Sequence, residues 1–239
     1  MLSWLFPATC ELCGEPAEHG VCPACLKRLS RVPAPICLHC GAPVAGEQAE
    51  ADRCAACAGL PRPFVLARQV LRQTDDVMQL VYQFKYHRAV YLAPALAGLL
   101  NELWEKTPHL CRRADWVLVP VPVTWRKLYT RGYNQAGELA RSLGKLRRLP
   151  VVDLLERHET GVASQTRLSA SARRLNAMRA YRLRRPGWWQ RRRVYPAHLV
   201  LVDDVFTTGA TARACAAQLR KLPGVKEVVS ISLVRIGKV

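Results

Sequence analysis

LVLVDDVFTTGATA, residues 199–212, climbs through four branched apolar residues into two adjacent acids, then two threonines, a glycine and a third threonine. A short apolar run closed by a turn signal reads as a strand buried on both faces, and the alanine-rich stretch that follows reads as a helix. In open parallel sheets, ligands sit at the carboxyl ends of strands, where loops feed helix N-termini. Asp203 and Asp204 fall where this strand ends, and residues 206–209 form the turn. Backbone N–H groups at a helix start, with the hydroxyls of Thr207, Thr208 and Thr211 and the close approach allowed by Gly209 beside Ala210, make a cradle for a phosphate. Two carboxylates suit vicinal hydroxyls, or the hydrated Mg²⁺ bound to them, because both need oxygen acceptors. Phosphate beside a diol describes a sugar phosphate, and 5-phosphoribose fits. The plainer reading is a strand end whose acids and threonines only cap the turn. An Asp-Asp pair alone favours that reading; the whole unit favours a ligand. No GxxxxGK[ST] occurs, which excludes a P-loop.

The chain around this unit alternates strands with helices. Residues 65–72 read as a strand, and 74–86 as a helix with Val77, Leu80, Val81 and Phe84 on one face; Asp75 and Asp76 sit in its first turn, where negative charge is favourable. A second helix is expected over 91–104, a buried strand over 116–119 that breaks at Pro120 and Pro122, and a helix over RGYNQAGELARSLG (131–144) that ends at Gly144. VVDLL (151–155) reads as a short strand or edge, residues 157–193 as a basic lid followed by helix or irregular chain, and 225–235 as a last strand. This order predicts an α/β fold with a mostly parallel sheet covered on both faces.

Upstream of Pro61 the chain changes character. Residues 1–60 lack the periodicity and length for a core of their own, but hold four CxxC pairs: Cys10/Cys13, Cys22/Cys25, Cys37/Cys40 and Cys54/Cys57. A two-residue gap lets both sulfurs of one turn reach a tetrahedral ion, so the pairs predict two structural zinc ions with four cysteines each. The repeat CELCG…CPAC and CLHCG…CAAC favours sequential pairing into tandem ribbons, while the spacing alone leaves interleaved pairing open. MLSWLFPATC has no basic n-region, which argues against export and a disulfide framework. The expected organisation is a zinc module over 1–60, a PRPF linker at 61–64 and an α/β domain over 61–239.

The 239 residues are 50% apolar and 23% charged, the balance of a globular protein, and the net charge is +18. No apolar run reaches the roughly 18 to 20 residues needed to span a bilayer, so a cytoplasmic protein is expected. The charge is concentrated. Residues 123–193 hold 18 Lys and Arg against four acids, whereas residues 1–60 hold four against six.

VLVDDVFTTGAT resembles the phosphoribosyl-pyrophosphate (PRPP) signature of type I phosphoribosyltransferases. QFKYH (83–87), VPVP (119–122), RGYNQA (131–136) and the spaced set Gln165, Leu168, Arg173 and Asn176 are similar to landmarks of the ComF family, which joins a cysteine-rich zinc module to a phosphoribosyltransferase-like domain. The resemblance implies that Asp203 and Asp204 hold the ribose hydroxyls, residues 207–211 the 5′-phosphate and the turn around Val121 the pyrophosphate, with a lid near 157–165. VPVP brings no charge of its own before Arg126. Pyrophosphate would therefore be held by Mg²⁺, backbone N–H groups and cations such as Lys85, Arg126 and Arg131. Catalysis would fall to Asp203, Asp204 and Arg131. The same motif has a structural reading, with Asn134 and Gln135 capping a helix and Arg131 bound to a carbonyl.

A second reading starts from RLRRPGWWQRRR (182–193). Arg184, Arg185, Arg191, Arg192 and Arg193 interleave with Trp188 and Trp189, pairing phosphate contact with base stacking as in a single-strand binder. The resemblance points the same way, since ComF-family proteins are linked to competence and uptake of single-stranded DNA. A zinc module of net charge −2 is a poor phosphate binder. Docking of a helicase or another competence protein suits it better.

Overall fold

Residues 199–202 lie inside a nine-residue strand, His198–Phe206, and every one of them is buried in a computed structural model that describes residues 9–44, 54–159, 180–184 and 195–237. In chain order the α/β elements are β1 (Ala67–Arg72), α2 (Asp75–Tyr86), α3 (Ala93–Glu105), α4 (Pro108–Cys111), β2 (Trp116–Pro120), α5 (Trp125–Arg131), α6 (Gln135–Arg147), β3 (Leu155–Arg157), β4 (Tyr181–Leu183), β5 (His198–Phe206), α7 (Ala210–Leu219) and β6 (Glu227–Arg235); α1 (Pro23–Arg28) belongs to the cysteine module. The main sheet has the order β1-β6-β5-β2, and all three pairings are parallel.

Alternation along the strands builds two cores. Trp116, Leu118, Val200, Val202, Val229 and Ile231 face one side, which α2, α3 and α6 cover; Val117, Val119, Leu199, Leu201 and Val228 face the other, which α7 and the antiparallel β3–β4 pair cover. Strands buried on both faces account for the unbroken apolar runs.

The cysteine module straddles the β1 edge. Cys10, Cys22 and Cys25 pack into the first core, and Cys37, Cys40, Cys54 and Cys57 into the second. The chain between the clusters pairs antiparallel with β1 at Arg31 and Leu71, where Val32 N–H donates to Val70 O (2.9 Å) and Arg72 N–H to Ser30 O (3.0 Å), and within the second cluster His39 O accepts from Ala67 N–H (2.7 Å). An edge strand left open is a template for aggregation, and this segment closes it. At the opposite edge, Leu118 of β2 exchanges backbone hydrogen bonds with Pro150 and Val152 (both 2.9 Å).

β5 runs on through Asp203 and Asp204 to Phe206, so the acids lie inside the strand and the turn begins after Phe206; α5 is not among the expected elements; and two further elements depart in their bounds. α6 runs past Gly144 to Arg147, and Arg148 (φ 55°) turns the chain. Gly144 is there for close packing instead: a Cβ would stand 2.8 Å from Leu149 O and 2.9 Å from a Val151 methyl. The 151–155 stretch supplies one parallel bridge, Val151 to Leu118, and then the start of β3, which pairs antiparallel with β4. Of the expected lid, residues 160–179 and 185–194 lie outside the described residues; Gln165, Leu168, Arg173, Asn176, Arg185, Trp188, Trp189, Arg191, Arg192 and Arg193 fall there. Among the described residues no helix is long and apolar enough to cross a membrane.

Candidate ligand site at the strand ends

β2 ends at Pro120 opposite Val202, β5 runs on to Phe206, and a cleft of about 260 Å³ opens past the end of β2. Its floor comes from residues 121–123 after β2 and 203–205 near the end of β5; its walls are Lys85 and Tyr86 at the end of α2, Lys127 and Arg131 of α5, Arg157 and Tyr181 of the β3–β4 pair, and Thr211 of α7.

The acids and the cations meet here. Lys85 Nζ lies 2.9 Å from Asp204 Oδ2, and the Asp204 N–H donates to Asp203 Oδ1 at 2.9 Å. Burial, and then the charge of Asp204, push the Asp203 carboxyl well above the usual carboxylate range, with Lys85 opposing. Partial desolvation against the cleft wall and the positive charges of Arg157, Arg131 and Lys85 push the Lys127 ammonium down. Four cations therefore surround two carboxylates of which one resists ionisation. The surplus positive charge favours an anionic ligand.

RGYNQA acts as a clamp across the cleft. Tyr133 Oη donates to Phe84 O, and Gln135 Nε2 to Lys85 O (3.4 Å), so two of the last carbonyls of α2 are satisfied and Lys85 is held. Asn134 Nδ2 donates to Val121 O (3.0 Å), which fixes the turn after β2. Asn134 occupies the N-cap position of α6, but its side chain makes no cap bond; the capping pair expected for Asn134 and Gln135 does not form, because both side chains turn to other segments. Arg131 donates to Gln135 Oε1 (3.1 Å) and Tyr86 Oη (3.3 Å), with its guanidinium 4.9 Å from the centre of the Tyr86 ring, rather than to a carbonyl.

Of the threonine turn, Thr211 lines this cleft, whereas Thr207, Thr208, Gly209 and Ala210 do not. Thr207 and Thr208 are exposed, Gly209 has φ 73°, and Ala210 opens α7. Thr208 Oγ1 accepts from Ala210 N–H at 3.4 Å. A Cβ on Gly209 would collide with the Phe206 ring at 2.6 Å, so conformation and space both require glycine.

Of the residues singled out in the sequence, Asp203, Asp204, Thr211, Val121, Lys85 and Arg131 line one cleft. Arg126 is exposed on α5 and does not line it; its neighbour Lys127 does. Arg184 is exposed, and its N–H donates to Leu154 O (2.9 Å). Lys127, Arg157, Tyr86 and Tyr181 were not among the sequence candidates. Lys127 and Arg131 are four residues apart, one face of a helix, and would have been legible once α5 was recognised.

In the cysteine module the pairing is sequential. The ligand atoms of Cys10, Cys13, Cys22 and Cys25 lie within 4.8 Å of one another, as do those of Cys37, Cys40, Cys54 and Cys57. Cys13 and Cys22 sulfurs are 3.7 Å apart, and Cys40 and Cys54 sulfurs 3.6 Å. Sulfurs about 2.3 Å from a central Zn²⁺ in a tetrahedron stand about 3.8 Å apart, far beyond a disulfide bond. Backbone N–H groups of Cys25 and Cys54 donate to the sulfurs of Cys22 (3.4 Å) and Cys37 (3.2 Å), which suits thiolates.

These features define a class: a double thiolate metal module built onto the edge of a parallel α/β domain with an acid-and-cation cleft at its strand ends. Residues 1–58 match the model of the double zinc ribbon domain, which with the two four-cysteine clusters identifies structural zinc. The chain belongs to the ComF family of competence and DNA-utilization proteins. It is 31% identical to DNA utilization protein YhgH of Salmonella typhimurium over 221 residues (89% of this chain, 91% of the relative). It is 29% identical to Competence protein F of Haemophilus influenzae over 222 residues (92% of each), and 24% identical to Competence protein ComFC of Bacillus subtilis over 224 residues (91% and 85%).

Proposed function

We propose that the chain binds PRPP, or a ribose 5-phosphate, with Mg²⁺ in the cleft and transfers the phosphoribosyl group to a nitrogen acceptor. The observation that carries this reading is the meeting of Asp203 and Asp204 with Lys85, Lys127, Arg131 and Arg157 in one cleft beside a helix-opening threonine turn. The carboxylates accept from the ribose hydroxyls. The turn at 207–211 takes the 5′-phosphate on backbone N–H groups and hydroxyls. The four cations face the pyrophosphate.

In the reaction, the acceptor nitrogen attacks the anomeric carbon as the bond to pyrophosphate breaks, and the pyrophosphate leaves with the bonding electrons. Asp204 steadies the cationic ribosyl centre, and Arg131, Lys127 and Arg157 stabilise the departing charge. Asp203 and Asp204 would be the chain's acceptors for a Mg²⁺ arriving with the substrate, which would add charge neutralisation. Millimolar PRPP with Mg²⁺ raises Tm in this reading, and Asp203→Asn with Asp204→Asn removes the rise. A wild-type Tm that PRPP leaves unchanged overturns it.

A second reading, contact with single-stranded DNA, draws on the relatives' names and on one surface. α5 buries none of its residues, and Trp125 (68% exposed) and Tyr129 (83%) stand among Arg126, Lys127 and Arg131 beside the cleft. Exposed rings interleaved with cations suit stacked bases on a phosphate backbone. In this reading the zinc module, poor in positive charge, docks a helicase or another competence protein.

A further inference from the structure

The second cysteine cluster is joined to the threonine turn through one side chain. Arg213, in the first turn of α7, donates from Nη1 to Thr208 O at 2.7 Å and from Nη2 to Cys57 Sγ at 3.6 Å. Its guanidinium lies 5.8 Å from the centre of the Phe64 ring, and Phe64 is buried and stacked at 4.6 Å on His39, which sits between Cys37 and Cys40. A second arginine supports the other side of the turn. Arg235 Nη1 donates to Cys40 O (3.0 Å), and its guanidinium stands 5.3 Å from the centre of the Phe206 ring, against which Gly209 is pressed. Among the described residues, the first cluster has an arginine on sulfur too, Arg28 on Cys25 (3.5 Å), but that arginine is local to α1 and reaches no part of the cleft.

Four thiolates around Zn²⁺ carry a net charge of −2, so a loaded second cluster holds Arg213 by a charge-assisted bond. The other prong of the fork then fixes the Thr208 carbonyl. The peptide is planar, so the Gly209 N–H points the opposite way, away from Arg213 and the cluster. Arg213 thus sets the direction of a backbone donor in the turn.

We propose that Arg213 is a positioning residue that couples metal in the Cys37, Cys40, Cys54 and Cys57 cluster to phosphate binding by the turn at 207–211. The proposal rests on the reading of that turn as the sugar-phosphate site. Coupling between two sites is reciprocal. PRPP therefore slows loss of zinc from the second cluster, and zinc in that cluster tightens PRPP.

The test uses the full chain loaded with zinc, comparing wild type with Arg213→Met and Arg213→Lys. Calorimetry measures PRPP affinity in the presence of Mg²⁺, metal analysis counts zinc, and a chromophoric chelator follows zinc release with and without PRPP. Expected in wild type is release in two phases, only one of them slowed by PRPP. Arg213→Met keeps two zinc ions but binds PRPP about tenfold more weakly and loses the protected phase. Arg213→Lys, with one charge and no fork, recovers little of either. PRPP affinity in Arg213→Met equal to wild type, or protection that survives the substitution, overturns the coupling while the site reading stands. A wild type that binds no PRPP overturns the site reading and the coupling with it.

Discussion

Lys85 Nζ and Asp204 Oδ2 are 2.9 Å apart, and the two side chains are only 20% and 15% exposed. A helix end and a strand end, far apart in the chain, are thereby joined inside the cleft. Removing one partner of a largely buried pair leaves a charge without compensation. Lys85→Met is expected to lower stability by about 2 kcal/mol, and Lys85→Met with Asp204→Asn to recover most of that loss. Urea unfolding of the two single variants and the double variant measures the coupling; additive losses would show that the pair does not contribute.

Asp203 sets a pH dependence. Its carboxyl is raised in the folded chain by burial and by Asp204, whereas in the unfolded chain it titrates near about 3.9. The folded state holds the proton longer, so this group's contribution to stability is full below about pH 4 and falls away as pH climbs through the raised value. Above that value the ionised pair costs stability. Asp203→Asn is expected to stabilise the protein at neutral pH by about 1 kcal/mol, with the difference shrinking in acid, while PRPP binding is lost. An Asn variant less stable than wild type at pH 7 contradicts this account.

Asn134 ties the turn after β2 to the start of α6 through the bond from Nδ2 to Val121 O (3.0 Å). Asn134→Ala frees that turn and leaves the carbonyl without its donor. Stability should fall by about 1 kcal/mol, and PRPP affinity by more than the same substitution lowers affinity for ribose 5-phosphate, which lacks the pyrophosphate. Equal losses for both ligands would remove Asn134 from the pyrophosphate side.

Chelation of zinc should act first on the β1 edge. The N–H groups of Ala67 and Arg72 donate to His39 O and Ser30 O, carbonyls that belong to the cysteine module. Hydrogen exchange after chelator treatment is expected to quicken at 67 and 72 while the amides of β5 stay protected. Uniform loss of protection would mean that the module and the sheet unfold as a unit.

Trp125→Ala with Tyr129→Ala removes two exposed rings of α5 and none of its charge. If single strands stack there, affinity for an oligonucleotide should fall by about 1 to 3 kcal/mol per base lost, with the salt slope unchanged. A change in slope without a change in affinity at low salt would place the contact elsewhere.

β5 and its acids were legible because a strand buried on both faces leaves an unbroken apolar run, and the hydroxyl-rich turn marks where it ends. The CxxC pairs were legible because thiolate coordination imposes local spacing. α5 was not: its seven residues bury nothing, so no apolar period marks it, although Thr124 caps its start and Gly132 ends it. Lys127 was lost with it. Arg157 and Tyr181 enter the cleft only through the β3–β4 pairing, a long-range contact between short, weakly patterned strands. The roles of Tyr133, Asn134 and Gln135 depend on where α2 and β2 end in space, which local pattern does not encode.

β1 lies at one edge of the four-stranded sheet, between the cysteine module and β6, the final strand. Contacts between distant parts of a chain form late, since loop closure must precede them. As the chain leaves the ribosome, the cysteines emerge first, and the surface on which both clusters rest is complete only after β6 has arrived. Local CxxC turns are therefore able to take up metal before their docking surface is complete. A nascent chain can hold zinc through local CxxC turns while its ribbons wait, unshielded, for the last strand.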